Sequence, residues 1–160
     1  MGVSIKLYAV KDSRAIQSET DLEQQLDAND VIAVELDKCY TDLAIVLTNC
    51  SDPFDLDEEL GYQAVMGISD GENIEIGGRE IVGFLNHKQA TEVENWLKTL
   101  NITTKVSFSD FFDKLDEDVK ETLEDYGTEK DDLYEGYFKP LLAFYDSIKE
   151  NKKGVLFCAE

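Results

Sequence analysis

The segment Val-Ser-Ile-Lys-Leu-Tyr-Ala-Val, residues 3–10, decides the fold of this chain because its apolar positions recur with a period of two. One side of that pattern carries Val3, Ile5, Leu7 and Ala9. This alternation predicts a β-strand with one buried face. The apolar segment Gly154–Ala159 predicts a second strand, which we expect to join the sheet of the first and so tie down both ends of this sequence.

Two helices are predicted after the first strand. A short helix is expected with Ser18 or Thr20 as its cap and with Leu22 and Leu26 facing inward. The next helix is expected to run from an N-cap at Asp37 to a C-terminal residue at Asn49. Its apolar positions follow the spacing of three and four residues that marks one face of a helix: Tyr40, Leu43, Ala44 and Leu47.

The middle of the sequence predicts a turn, a strand and a helix. Ile74 and Ile76 lie beside glycines and predict a short extended piece, with a tight turn at residues 77–79. The segment Glu80–Leu85 is too continuously apolar for a solvent-facing edge and predicts an interior strand. Asn86 is predicted to cap a helix whose apolar stripe consists of Ala90, Val93, Leu97 and Leu100.

Two long helices are predicted in the second half. The first is expected to open at Ser107, to carry aromatic and aliphatic side chains on one face, and to end at Gly127. The second is expected to begin at Thr128, because Thr128 and Asp131 resemble a capping box. Pro140 is expected to kink or divide this last helix, since proline costs about 3 kcal/mol in a helix interior.

These elements predict an α+β fold: a single domain over residues 1–160, in which a small mixed β-sheet packs against several helices. The strands and helices do not alternate regularly enough for a doubly wound sheet. A hydrophobic content of 42% supplies enough apolar surface for a core in a chain of 160 residues.

Charge is the most unusual feature of the composition. The formal net charge is −20, from 35 acidic and 15 basic residues, and the only arginines are Arg14 and Arg79. Nucleic acids bind proteins largely through Lys and Arg contacts to phosphates, so the composition argues against a nucleic-acid partner. It argues against an anionic membrane in the same way. A basic protein is the partner that such a surface suits.

Catalytic and metal-binding motifs are not evident. The three cysteines, Cys39, Cys50 and Cys158, have no metal-ligand spacing and predict reduced thiols in a cytoplasmic protein. The acidic run after Asp55 lacks the glycine and the final glutamate of a calcium loop. His87 is the only histidine, and the sequence gives it no recognisable catalytic partner. We therefore predict no cofactor, no metal and no catalytic residue.

The acidic residues are concentrated in two segments. Residues 51–59 carry five acids and no base, and residues 110–135 carry twelve acids and three bases. Tyrosines near these acids would serve as anchors for a basic partner, while the charge would set the association rate. The candidate partner-binding residues are Asp55, Asp57, Glu58, Asp113, Glu117, Glu121, Glu124, Tyr126, Asp131, Asp132 and Tyr134.

Several segments together resemble the DUF1877, or YfbM-like, family of bacterial proteins. Leu36-Asp37-Lys38 before an amphipathic helix that ends in Val46-Leu47-Thr48 is similar to the family signature L-D-K-x-W-x-x-L-H-x-L-L-T-G. The resemblance implies an α/β protein and brings no established function. This sequence has Tyr40 near the signature tryptophan, Ala44 at its histidine and Asn49 at its glycine. Chemistry that depended on that histidine could not occur here.

The leading hypothesis is therefore a non-catalytic protein-binding domain, such as an immunity or inhibitor protein that neutralises a basic effector, for example a toxin. A second hypothesis is an enzyme or small-ligand-binding protein with a pocket near Asp37, Lys38, Tyr40, Arg79 and His87. A third is a housekeeping or structural protein whose acidity reflects only its solubility or its salt environment.

Overall fold

A five-stranded antiparallel sheet forms the centre of the protein. The computed structural model describes residues 3–11, 19–69, 71 and 74–160. The strands are β1 (Ile5–Val10), β2 (Ala33–Asp37), β3 (Ile74–Ile76), β4 (Arg79–Leu85) and β5 (Gly154–Ala159), in the spatial order β2-β1-β5-β4-β3. The α+β prediction is confirmed, and β5 pairs with β1 as expected.

The sheet is antiparallel at each described pairing, so the prediction of a mixed sheet is wrong. One reason lies in the connection between β3 and β4, which is a two-residue turn at Gly77 and Gly78. Both glycines have positive φ angles, of 58° and 81°. A two-residue hairpin of this kind needs positive φ at both positions and joins only antiparallel neighbours.

Strand β1 is buried on both faces rather than on one. Ile5, Leu7 and Ala9 face the main core, as the alternation predicts, but Val3, predicted on the same face, precedes the strand and is 50% exposed. Tyr8 and Val10 point the other way, into a second cluster covered by Leu22 and Leu26 of helix α1 (Glu19–Asp27). Tyr8 and Val10, which alternate with the predicted face, are therefore also buried, because a helix covers the second face of the sheet. Ser18, the alternative cap for this helix, lies outside the described residues, and Thr20 lies within the helix.

The remaining helices contribute to the main core. They are α2 (Tyr40–Thr48), α3 (Leu60–Met66), α4 (His87–Thr99), α5 (Lys105–Asp113), α6 (Glu117–Asp125), α7 (Lys130–Leu133) and α8 (Lys139–Asn151). Helix α4 begins with the predicted cap. The Asn86 side chain accepts a hydrogen bond from the Gln89 N–H, and the Gln89 side chain accepts one from the Asn86 N–H. Helix α2 begins later than predicted: Cys39 is its N-cap, and Asp37 has a left-handed backbone with φ of 50°.

The long helix predicted from Ser107 is two helices, α5 and α6, separated by a turn at Lys114–Asp116. A straight helix over residues 107–126 would be about 30 Å long. The turn instead lets Phe108 and Phe112 of α5 and Val119 and Leu123 of α6 all reach the core. Thr104 caps α5, and Ser107 completes the capping box at the third helical position.

Helix α6 ends at Gly127, as predicted, in a Schellman motif. The Thr128 N–H donates to the Leu123 carbonyl and the Gly127 N–H to the Glu124 carbonyl, with Gly127 at φ of 72°. Thr128 is part of this turn, so Glu129 occupies the N-cap position of the last helix, where its side chain makes no capping hydrogen bond. That helix widens into a π-helical segment over Tyr134–Phe138 directly before Pro140, which relieves the clash between the proline ring and the preceding turn.

Candidate functional site

The two acidic segments, which are far apart in the sequence, meet in the structure where residues 49–51 contact the start of α6. Asn49 follows α2 with a left-handed backbone, and its Oδ1 accepts a hydrogen bond of 2.9 Å from the Asp116 N–H at the start of α6. The Ser51 hydroxyl is 3.2 Å from Asp118 Oδ2. These contacts hold the start of residues 51–59 beside the first turn of α6. We refer to the exposed carboxylates of residues 51–59 and 116–125 as the acidic face.

Asn49 therefore joins the two halves of the acidic face, which gives a testable prediction. Asn49→Gly keeps the left-handed backbone but removes the acceptor for the Asp116 N–H, so it should lower the free energy of unfolding by about 1 kcal/mol. Asn49→Ala should lower it by about 1–2 kcal/mol more, because alanine disfavours a left-handed conformation. Urea denaturation measures both. Equal stability of Asn49→Gly and the wild type would show that the Asn49 side chain does not hold α6 in place.

The predicted partner-binding acids divide into two groups by their ion pairs. Asp113 contacts Lys130 at 2.9 Å, Glu117 contacts Lys120 at 2.9 Å and Asp131 contacts Lys105 at 3.7 Å. Within the described part of the chain, no lysine or arginine forms an ion pair with the other predicted acids, which are all exposed: Asp55, Asp57, Glu58, Glu121, Glu124 and Asp132. The second group is available to a partner's charges.

The predicted aromatic anchors also differ from one another. Tyr126 is 59% exposed at the end of α6, as an anchor must be. Tyr134 is only 5% exposed, because its ring packs against Phe108 and Phe138 in the core, so it is not part of this surface. Phe54, which sequence reasoning missed, is 46% exposed within residues 51–59, and its ring meets Tyr62 edge-to-face at 6.5 Å. An apolar ring between acidic neighbours is the feature that could have identified it.

A groove of about 320 Å³ lies at the end of the acidic face. One wall is formed by Cys39 and Asp42 from the start of α2, another by residues 126–129, and the third by Asp132, Leu133 and Tyr137. The Thr128 hydroxyl donates to Asp42 Oδ2 at 2.9 Å, and this bond joins two of the walls.

The groove perturbs the acidity of its polar side chains. Burial raises the pKa of the Asp42 carboxyl, and the hydrogen bond from Thr128 opposes that change only partly. Burial also raises the pKa of the Cys39 thiol, although a hydrogen bond with Tyr137 lowers it in part. The same bond is the main cause of a raised pKa at Tyr137, to which Asp37 and Glu35 contribute. The Cys39 thiol is accordingly a poor nucleophile.

The raised pKa of Asp42 predicts a pH dependence of stability. The unfolded chain ionises Asp42 at a lower pH than the folded protein does, so folding loses stability as the pH rises through the folded pKa. Asp42→Asn should therefore raise the free energy of unfolding at pH 7 by roughly 0.5 kcal/mol or less, because solvent screens a half-exposed carboxylate. Urea denaturation at pH 7 and at about pH 3.5 should show the advantage shrinking at acid pH. A pH-independent difference would contradict this.

The five residues of the predicted small-ligand pocket do not come together. Asp37 and Glu80, next to Arg79, lie in the same row at one end of the sheet but three strands apart, or about 14 Å. His87 lies at the opposite end, after β4, where its Nδ1 is 3.1 Å from the Lys153 carbonyl oxygen. The described cavities have none of the five predicted residues in their lining: Asp37, Lys38, Tyr40, Arg79 and His87.

Arg79 holds parts of the sheet together. Its Nη2 contacts Asp27 Oδ1 at 3.0 Å and its Nε contacts Glu160 Oε1 at 3.4 Å. The Tyr8 hydroxyl donates to the same Glu160 oxygen at 2.7 Å, and burial together with this bond raises the pKa of Tyr8 to about 12. The guanidinium is thus engaged by two carboxylates and is not an open anion site.

A larger cavity, of about 400 Å³, lies between α4 and α8. Glu94 is one of its lining residues, and the Glu94 side chain is 3% exposed between Lys98 and Lys149. Those lysines hold the pKa of Glu94 below its usual value against the effect of burial. Leu97, Ile102 and Leu142 supply apolar surface. Sequence reasoning missed this cavity because it needs the packing of two helices distant in the sequence.

The arrangement of the described residues bears on metal binding and on membrane crossing. Among them, no group of three or more His, Cys, Asp and Glu side chains is arranged to hold a metal ion. None of the described helices combines the length and the hydrophobicity needed to cross a bilayer.

Similarity to known proteins extends over nearly the whole chain. Residues 1–158 match the family described as Domain of unknown function (DUF1877). A solved structure, described as a protein of unknown function YfbM from Escherichia coli, aligns with 98% of this chain and 99% of its own, with a TM-score of 0.53 and 11% sequence identity. At that identity the similarity concerns the fold alone. Among curated proteins, no sequence matches this chain significantly.

Proposed function

We infer that this chain, which belongs to the DUF1877 family, is a non-catalytic protein-binding domain whose acidic face captures a basic protein. An immunity or inhibitor protein that neutralises a basic effector, such as a toxin, fits this role. The observation that carries the proposal is the contact of Asn49 and Ser51 with the start of α6. This contact joins two acidic segments whose carboxylates at Asp55, Glu121 and Glu124 have no basic partner among the described residues.

The charge distribution within α6 supports the proposal. Glu124 and Asp125 lie in the last turn, which contains no base, and there they oppose the helix dipole. Glu121 lies four residues from both Glu117 and Asp125, and like charges at that spacing destabilise a helix by about 0.2–0.5 kcal/mol per pair. These acids therefore weaken the helix that carries them. Cations from a basic partner would offset the repulsion.

The exposed aromatic side chains support it further. Phe54 lies within residues 51–59 and Tyr126 directly follows α6, so each of the two acidic segments carries or adjoins an exposed ring. Helix α6 separates its two ends by about 14 Å. Aromatic residues within a charged surface are the usual centres of binding energy in protein interfaces. A bacterial cytoplasmic location is part of the same proposal, and it is consistent with three free cysteines.

Affinity capture from host cells tests the proposal. The wild-type chain is immobilised at low ionic strength beside a variant with Asp55→Lys, Glu121→Lys and Glu124→Lys, and the retained proteins are identified by mass spectrometry. We expect a basic protein that the wild type retains, that the variant does not, and that 0.5 M salt releases. Identical retention by the two chains at every salt concentration would contradict the proposal.

A small-ligand-binding function is the second candidate, and the cavity between α4 and α8 favours it. About 400 Å³ with apolar walls and one buried carboxylate has the size and composition of a ligand pocket. A screen of amphipathic metabolites by thermal shift would support this function if hits on the wild type are lost when Ala143→Phe fills the cavity. Hits that bind both chains equally would place the ligand elsewhere.

A further inference from the structure

The groove at the end of the acidic face has the composition of a cation-binding site. Its lining includes three carboxylates, Asp42, Glu129 and Asp132, and none of its described lining residues is a lysine or an arginine. The carboxylates of Glu35 and Asp37 also act on the Tyr137 hydroxyl at its edge. The local field therefore favours a positively charged group over a neutral or negative one.

The groove also presents aromatic surface to such a group. Tyr126 forms part of its wall and remains 59% exposed, while Tyr137 is half-buried on the other side. Because Tyr126 directly follows α6, its ring lies next to the acidic face as well as in the groove. Cations bind over the face of a tyrosine ring, and a planar guanidinium stacks there especially well.

Asp42 is a half-buried carboxylate of the groove that has no basic partner among the described residues. Its carboxylate is half-buried, and among the described residues it accepts one side-chain hydrogen bond, from Thr128 at 2.9 Å. No described lysine or arginine lies within ion-pair distance of it. The second oxygen of Asp42 is left to accept from a ligand. A half-buried carboxylate without a counter-charge is unfavourable until a cation approaches it.

We propose that this groove binds an arginine side chain of the basic partner, with the guanidinium donating to the Asp42 carboxylate and stacking on the Tyr126 ring. This inference rests on the proposed function and gives the partner's interface a specific anchor. Arginine fits better than lysine, because the guanidinium is planar and donates in a fork that matches a carboxylate, whereas an ammonium is a compact, strongly hydrated charge.

A blocked arginine is the probe that tests the groove directly. Amide resonances of the ¹⁵N-labelled protein are followed during titration with N-acetyl-arginine amide at low ionic strength, and in parallel with the blocked lysine and the blocked, neutral citrulline. We expect saturable shifts at Cys39, Gly127 and Thr128 with arginine, and none with citrulline. Equal shifts with lysine, or shifts spread evenly over the acidic face, would overturn the assignment.

Matched variants separate the groove from the acidic face. Asp42→Asn should weaken binding of the blocked arginine about tenfold, Tyr126→Ala about threefold, and Tyr126→Phe less than twofold, because phenylalanine keeps the aromatic face. Glu121→Gln removes a charge of the acidic face from outside the groove and should change the affinity less than twofold. Tyr126 is exposed, so its variants test the groove without disturbing the core. Unchanged affinity in both Asp42→Asn and Tyr126→Ala would overturn the proposal.

The outcomes also distinguish this inference from the proposed function. If a captured basic protein is lost on reversing the acidic face but is unaffected by Asp42→Asn and Tyr126→Ala, the groove assignment fails and the proposed function stands. If blocked arginine binds the groove as expected but host cells yield no basic partner, the proposed function fails and the groove remains a guanidinium site.

Discussion

Reversing three charges of the acidic face, with Asp55→Lys, Glu121→Lys and Glu124→Lys, should weaken binding to the captured basic partner about 100-fold. The slower association rate should account for much of the loss, because these exposed charges act mainly by steering the encounter. Surface plasmon resonance at several salt concentrations measures both effects. The wild-type association rate should fall steeply with added salt, and the variant's should depend on salt much less.

The same variant should be at least as stable as the wild type, which separates loss of binding from loss of fold. Lysine at position 124 complements the dipole at the end of α6, and lysine at position 121 forms favourable pairs with Glu117 and Asp125. We expect a gain of a few tenths of a kcal/mol in the free energy of unfolding. A less stable variant would show that these carboxylates have a structural role.

A matched control tests whether position matters or only net charge. Asp30→Lys, Glu92→Lys and Glu150→Lys change three exposed acids that lie outside the acidic face. Both triple variants change the net charge from −20 to −14, because each reversal adds two charges. The control should bind the partner within about threefold of the wild type. Equal losses in both variants would mean that the acidic face is only a solvated surface.

Gly83→Ala should destabilise the fold by about 3 kcal/mol or more, since overpacking a core forces the backbone to move. A Cβ atom at Gly83 would overlap the Met66 carbonyl oxygen, which is backbone and cannot swing away. The residue lies where β4 shifts its register against β5, between Ile81 and Gly83. Urea denaturation measures the loss. If the variant has the same urea midpoint as the wild type, the backbone at the end of α3 can shift to accommodate the added Cβ atom.

Gly136→Ala provides the matched control for that substitution. A Cβ atom at Gly136 would meet nothing within 4 Å, and this glycine lies in the helical segment Tyr134–Phe138 without a positive φ angle. Alanine there should raise the free energy of unfolding by about 0.5–1 kcal/mol, because it restricts the unfolded chain and favours the helix. The two glycine variants should therefore move stability in opposite directions.

Features that depend on neighbours in the sequence were predicted well. The alternation of Ile5, Leu7 and Ala9 gives the core face of β1, and Asn86 caps α4 because its partner Gln89 is only three residues away. Gly127 ends α6 for an equally local reason, its positive φ angle. Such features are fixed by backbone sterics and short-range hydrogen bonds, which the sequence displays directly.

Features that depend on distant contacts were missed or misplaced. The break between α5 and α6 coincides with a hydrogen bond from the Asp116 N–H to Asn49, 67 residues away. Thr128 has the form of a helix cap, yet its hydroxyl bonds to Asp42, 86 residues away. Tyr134 has the spacing of a surface anchor in an acidic stretch, but Phe108 and Phe138 bury it. Local patterns do not contain these partners.

The acidity of this protein is determined by its sequence alone, and so is its division into two segments, because charge and its order along the chain are fixed by composition. Only the tertiary structure decides that these segments meet at the start of α6, that Lys120 neutralises part of the acidic face, and that a groove with Asp42 and Tyr126 lies at its end. The physical reason is the range of the interactions along the sequence. Apolar periodicity and capping act over a few residues, whereas a surface or a groove exists only after the core has brought distant helices together.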